Sequence, residues 1–206
     1  MRFLSLLGAT LTLLSSSKAF PNITDPILPW QITHVSTFSP SSYPASHPHS
    51  RIFFTISDPN TITVGPPHPF GAIEFPPSTA NCSVYWQSHS EDPRGPEWPF
   101  NTCAEMRIST GKWTFEIREG TWNIGVTGSA VTRNFVAVIR LSEVVVLGTG
   151  GIWRHKYEGE AAFAVGQNME GACGGSGVCG YSLKDGPFLV NQRLVEAKCI
   201  IGNCDI

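Results

Sequence analysis

Lys112–Arg118, read KWTFEIR, decides the fold class of this chain. Trp113, Phe115 and Ile117 fall on one side of an extended backbone, and Lys112, Thr114, Glu116 and Arg118 on the other. That is the period-two signature of an antiparallel strand with one face on a core and one in water. The same rule applies at Arg51–Ser57 (RIFFTIS), where Ile52, Phe54 and Ile56 share a face and Asp58-Pro59-Asn60 ends the run. Phe135–Leu141 is apolar at both parities, as an interior strand requires. Trp30–Phe38, Ile62–Val64, Val84–Gln87, Trp122–Thr127, Ala161–Gly166 and Phe188–Val190 are further strands on this reading. Ser142–Leu147 has the length of one helical turn, but its valines suit a strand better.

Helices find almost no room. The 206 residues include 20 glycines and 16 prolines, so few windows stay uninterrupted for a helix. Many short strands and dense turn chemistry predict an all-β fold, a single antiparallel β-barrel or sandwich. Three proline-rich loops interrupt it at 39–50, 65–78 and 88–99, and loops on a rigid β scaffold are where binding surfaces lie.

The N-terminus supplies the address. Arg2 precedes an apolar run, Phe3–Leu14 (FLSLLGATLTLL), and Ser17-Lys18-Ala19 places small residues at a cleavage site before Phe20. Residues 1–19 read as a signal peptide and 20–206 as one secreted domain. The run is shorter than the roughly 20 residues that span a bilayer, and no later segment is longer without charge. A soluble extracellular protein with no membrane insertion is the expectation. Charged residues make up 15% of the chain and the formal net charge is −2, which gives no bulk footprint for nucleic acid.

In an exported chain, six cysteines point to disulfides rather than metal or redox chemistry. Fifteen pairings exist. The sequential scheme Cys82–Cys103, Cys173–Cys179 and Cys199–Cys204 joins the partners nearest in the chain, the first crosslinking separated segments and the others clipping short loops. No Cys-x-x-Cys spacing is present, so zinc-ribbon and thiol-exchange motifs are missing. Asn22-Ile23-Thr24 and Asn81-Cys82-Ser83 are N-glycosylation sequons.

Taken in order, several landmarks carry a resemblance: Trp30-Gln31-Ile32 opening the first strand, the Ser/Pro loop, RIFFTISDPN at Arg51–Asn60, Asn81-Cys82-Ser83, Cys103, the strand Trp113–Arg118, and the glycine-rich loop between Cys173 and Cys179. From Trp30 to Tyr181 this order resembles the fungal secreted proteins related to the major Alternaria allergen. The resemblance implies a disulfide-bonded β-barrel that works as an allergen, elicitor or effector at a host surface. It also implies the pairs Cys82–Cys103 and Cys173–Cys179. The chain departs from that pattern in its proline-rich insertions, its longer segment Trp122–Tyr157 and its extra pair Cys199/Cys204. It has no cysteine near the mature N-terminus, so the family's covalent dimer is not supported.

Chemical motifs are sparse. Gly175–Gly180 (GSGVCG) spells a dinucleotide fingerprint but lacks the βαβ context that motif needs, and its cysteines mark a disulfide-closed turn. Ser176 forms no nucleophile elbow. His47, His49 and His68 sit among prolines with no carboxylate or cysteine to complete a metal site. Glu158 and Glu160 share a strand face and Glu91 and Asp92 are adjacent, yet neither pair specifies a glycosidase cleft. No catalytic, cofactor or metal residue is nominated. Trp98 and Trp153, beside charged or glycine-rich segments, are the candidate binding anchors. These observations predict a secreted, non-enzymatic binding protein whose partner is a host extracellular protein or a cell-wall component. An extracellular carbohydrate-active enzyme and a carrier of a small apolar ligand are the alternatives.

Overall fold

The computed structural model describes residues 27–41, 49–64, 73–87, 101–105, 111–120, 131–148, 150–202 and 204. Residues 1–19, read above as a signal peptide, and Asn22, His47, His68, Glu91, Asp92, Trp98, Trp122–Thr127 and most of the three proline-rich loops therefore lie outside the described residues. The strands run β1 (Trp30–Ser39), β2 (His49–Asp58), β3 (Ile62–Thr63), β4 (Glu74–Phe75), β5 (Ser78–Gln87), β6 (Asn101–Thr102), β7 (Ala104–Glu105) and β8 (Gly111–Glu119). They continue as β9 (Asn134–Val146), β10 (Ile152–Ala164), β11 (Met169–Cys173), β12 (Cys179–Leu183), β13 (Phe188–Val190) and β14 (Gln192–Ile201).

The all-β expectation holds, and of its two forms the structure takes the sandwich. Sheet I has the order β11-β12-β1-β2-β5-β7, with β13 also on β1; sheet II has the order β14-β10-β9-β8-β6. Among the described residues both sheets end in open edges and are not closed onto each other, so the barrel that the resemblance implies is not formed. All pairings among these strands are antiparallel. Ser142–Leu147 extends β9 as a strand to Val146, as its valines require.

Period two places the core. Ile52, Phe54 and Ile56 from sheet I meet Trp113, Phe115 and Ile117 from sheet II, and all six are buried. Trp30 packs edge-on against Trp113 with ring centroids 4.8 Å apart, and Phe54 against Phe115 at 5.1 Å. Such aromatic pairs add about 1 kcal/mol each beyond the area they bury. The Trp113 indole N–H donates to Ser78 Oγ at 3.1 Å, so this ring is satisfied inside the core. Gly159, at an inward position of β10, makes room for Trp30: a Cβ there would lie 3.3 Å from Trp30 Cζ3 and 2.9 Å from Val190 Cγ1.

Three disulfides form, all between sequential cysteines: Cys82–Cys103, Cys173–Cys179 and Cys199–Cys204. Cys103 lies where the chain crosses from β6 in sheet II to β7 in sheet I, and its bond to Cys82 on β5 pins that crossing. Cys173 and Cys179 face each other across the β11–β12 hairpin. The glycine fingerprint is the turn of this hairpin, with Gly174 N–H donating to Val178 O and Gly177 at φ +81°.

The Cys82–Cys103 bond closes 21 residues of chain, the other two only 6 and 5. Replacing Cys82 and Cys103 with alanine should lower unfolding free energy in urea by about 3 kcal/mol, and the Cys199→Ala/Cys204→Ala pair should cost clearly less.

Candidate functional site

The inward face of sheet II changes character toward one end. Along β9 it runs Phe135, Ala137, Ile139, Leu141 and then Glu143; along β10 it runs Phe163, Ala161, Gly159, Tyr157, His155 and Trp153. Glu143 and His155 are direct cross-strand partners, and Leu141 faces Tyr157. From sheet I, Asp58 continues the inward parity of Ile52, Phe54 and Ile56 and brings a carboxylate to the same end. Asp58, Glu143 and His155 are 3%, 2% and 1% exposed. Three ionisable groups have thus been folded into the interior.

Their environments differ. Asp58 Oδ1 accepts the Asn60 backbone N–H at 2.9 Å and the Asn60 carboxamide as well. Asn60 also donates to Leu28 O and accepts from Leu28 N–H, both at 2.8 Å, and Gln192 Nε2 donates to Leu28 O at 2.7 Å. The Trp30 indole N–H favours the charged form of Asp58 although it falls short of hydrogen-bonding geometry. Glu143 lacks such support: its Oε2 is buried with no partner. Burial raises both carboxyls, and the charge of Asp58 adds to the effect on Glu143, which is pushed up to about 8. Two neighbouring buried carboxylates do not both ionise readily. The hydrogen bonds favour the charged form of Asp58, while Glu143, pushed up to about 8, is neutral near pH 7.

His155 sits in an aromatic box. Phe75 packs on it at 5.2 Å between centroids, Tyr157 at 5.9 Å and Trp153 at 6.2 Å, while Tyr157 Oη and His155 Nδ1 are hydrogen-bonded at 3.2 Å. Burial lowers the imidazole to about 4, so it is neutral near pH 7. Burial, followed by the nearby Glu143 and Asp58 carboxyls, raises the Tyr157 phenol. The arrangement holds ionisable groups removed from solvent, with Glu143 and His155 both shifted toward their neutral forms. It does not assemble a metal site, since among the described residues no three His, Cys, Asp or Glu side chains group to hold an ion.

The residues singled out from sequence fall elsewhere. Trp153 is half-buried, packed against the core with its indole Nε1 enclosed, so it walls the His155 box instead of standing out as an anchor. Asn81 lies on β5 with its Oδ1 accepting from Thr55 Oγ1 at 2.8 Å, beside the Cys82 bond. His49 lies on β2. Glu158 and Glu160 do share a face, the outer face of sheet II. There Arg193 and Arg140 bind Glu158 at 2.9 and 2.7 Å and hold its carboxyl below the ordinary range, while Arg118 meets Glu160 at 3.7 Å. Asp58, Glu143, His155 and Tyr157 went unmarked in the sequence. The signal for the last two is the alternation in IWRHKYEGEAAFA, which is masked because His155 and Gly159 occupy inward positions.

Compared with protein-family models, with curated proteins and with solved structures, the chain matches none.

The buried cluster sets a pH window. A neutral Glu143 favours the fold fully below pH 4.5, and this contribution is lost as pH rises through about 8. A neutral His155 favours the fold above pH 6.5, and this is lost as pH falls through about 4. Thermal stability should therefore peak between these limits and fall on the alkaline side by about 5 °C or more. Glu143→Gln should abolish that alkaline fall in a melting-temperature series while leaving the acid limb in place.

Proposed function

We propose that this chain is a secreted, non-enzymatic binding protein that engages a host extracellular protein or cell-wall component. Three disulfides suit an oxidising, extracellular setting. They make a rigid scaffold, and rigidity limits the entropy lost on binding. The observation that carries the reading is an exposed aliphatic patch at one end of sheet II. Val146 is 66% exposed, Ile201 59% and Ile200 37%, and the register sets Val146, Ile152 and Ile201 side by side. Exposed apolar clusters of this kind mark contact surfaces. The motif order resembles that of fungal secreted allergen-type proteins, and this resemblance suggests an elicitor or effector role for such contacts.

One observation favours the enzymatic alternative: Asp58 and Glu143 are two buried carboxyls that both rise above the ordinary range, the charge of Asp58 adding to burial in pushing Glu143 up to about 8. Glycoside hydrolysis uses two such groups. Both, however, are enclosed between the sheets, whereas the outward acids Glu158 and Glu160 are engaged by arginine. Substrate contact therefore favours the outer surface and binding. The apolar-carrier alternative gains little, because the aromatic interior near His155 is interrupted by these polar groups.

The test uses the oxidised protein and insoluble cell-wall polysaccharide. Binding predicts co-sedimentation without release of reducing ends, and a loss of about tenfold or more in retention for Val146→Asp/Ile201→Asp. Release of reducing sugar by the wild-type protein, abolished in Glu143→Gln, would establish the enzymatic reading instead.

A further inference from the structure

The strands of sheet II also sort charge. On its outer face the register builds rows across the strands: Lys112, Ser142, Lys156 and Glu196 form one, and Thr114, Arg140, Glu158 and Arg193 form the next. A third row, toward the aliphatic end, holds Val144, Arg154 and Lys198. These rows carry six cations against two carboxylates, a surplus of four positive charges on a chain whose formal net charge is −2. Beyond them, Glu116 and Glu160 flank Arg118 and end the basic zone.

The two carboxylates organise the cations without neutralising them. Glu196 meets Arg154 at 2.6 Å, Lys198 at 3.2 Å and Lys156 at 3.6 Å; Glu158 meets Arg140 at 2.7 Å and Arg193 at 2.9 Å. Lys112 has no ion pair among the described residues. Exposed ion pairs add little stability, so fixing five long side chains over two acids serves the surface more than the fold. Arg193 at 76% and Lys198 at 51% exposed present their cationic ends to solvent, Lys156 is partly exposed, and Arg140 and Arg154 are half-buried.

We propose that this basic face is the contact surface for a linear acidic polysaccharide bearing a carboxylate on successive sugars. The inference rests on the binding reading above and names the partner's chemistry. Charge complementarity supplies the attraction. The spread of cations over three rows, with no aromatic side chain among the outward residues of β8, β9, β10 and β14, suits a ligand whose charge repeats along its length. A single-stranded nucleic acid would call for stacking platforms. An anionic bilayer touching the aliphatic end would leave Lys112, Arg140 and Arg193 away from its headgroups. A protein partner would need a large apolar or aromatic anchor at the centre of the contact, where this face presents charged side chains with Thr114, Ser142 and Val144 between them.

The experiment titrates the full oxidised protein with size-defined oligogalacturonate by calorimetry, with a neutral glucan of matching length as control. Binding to the acidic oligomer alone is expected, weakening about tenfold or more between about 0.05 and 0.3 M salt. The variant Lys112→Glu/Lys156→Glu/Lys198→Glu should lose at least about tenfold in affinity, and Lys112→Gln/Lys156→Gln/Lys198→Gln should fall between it and wild type. Circular dichroism checks that both remain folded. Equal affinity of all three proteins, or wild-type binding to DNA or phosphatidylserine vesicles but not to the oligomer, would overturn the proposal. Retention on cell-wall material that ignores the lysine changes but is lost in Val146→Asp/Ile201→Asp would overturn this inference while sparing the binding reading; retention by nothing would end both.

Discussion

The pairing of β9 with β10 is the constraint on which the rest of the structure depends. Thirteen residue pairs run in unbroken register from Ile152 opposite Val146 to Ala164 opposite Asn134. Because side chains alternate strictly, this register fixes what faces the core and what faces water. A slip of β10 by one residue would exchange its two faces: it would bury Arg154, Lys156 and Glu158 and turn Tyr157 and Phe163 outward. The aromatic interior makes such a slip costly. The β8 and β14 pairings on either side then extend the same division across the sheet.

Both functional features follow from that division. Inward parity carries Glu143 and His155 into the sandwich, where Asp58 arrives from the end of β2, and removal from water shifts Glu143 up to about 8 and His155 down to about 4, toward their neutral forms. Outward parity lines up arginines and lysines over Glu158 and Glu196. The interior and exterior of one hairpin thus hold different electrostatics, neutral buried Glu143 and His155 within and a cationic lattice without. Net charge averages over the whole chain and erases this contrast, so composition suggests no electrostatic footprint where the fold builds one.

The strands were legible wherever apolar residues alternate with polar ones over a short span. KWTFEIR and RIFFTIS give their strands and faces directly, and the cysteine order gives the pairing that forms. The choice between barrel and sandwich was not legible, because it depends on whether edge strands meet, a matter of sheet curvature that no local pattern encodes. The buried cluster was also hidden. Asp58 reads as a turn residue before Pro59, and Glu143 as a polar break among valines. Only the register shows that both occupy inward positions. The basic face draws its cations from four strands between residues 112 and 198, and no window of sequence brings them together. Trp153 was misleading for a related reason, since its charged neighbours point outward while the ring turns in.

The most direct test of this division is the pH titration of the His155 ring by NMR, with the resonance assigned through a His155→Asn variant. The register places the imidazole against Glu143, Tyr157 and Phe75, and burial holds its pKa at about 4. The ring shifts should therefore stay flat from neutral pH through the ordinary histidine range and move only as the solution approaches that value. A titration centred near 6.5, the value of a solvated histidine, would place His155 on the outside and contradict the register from which both the buried cluster and the basic face are derived.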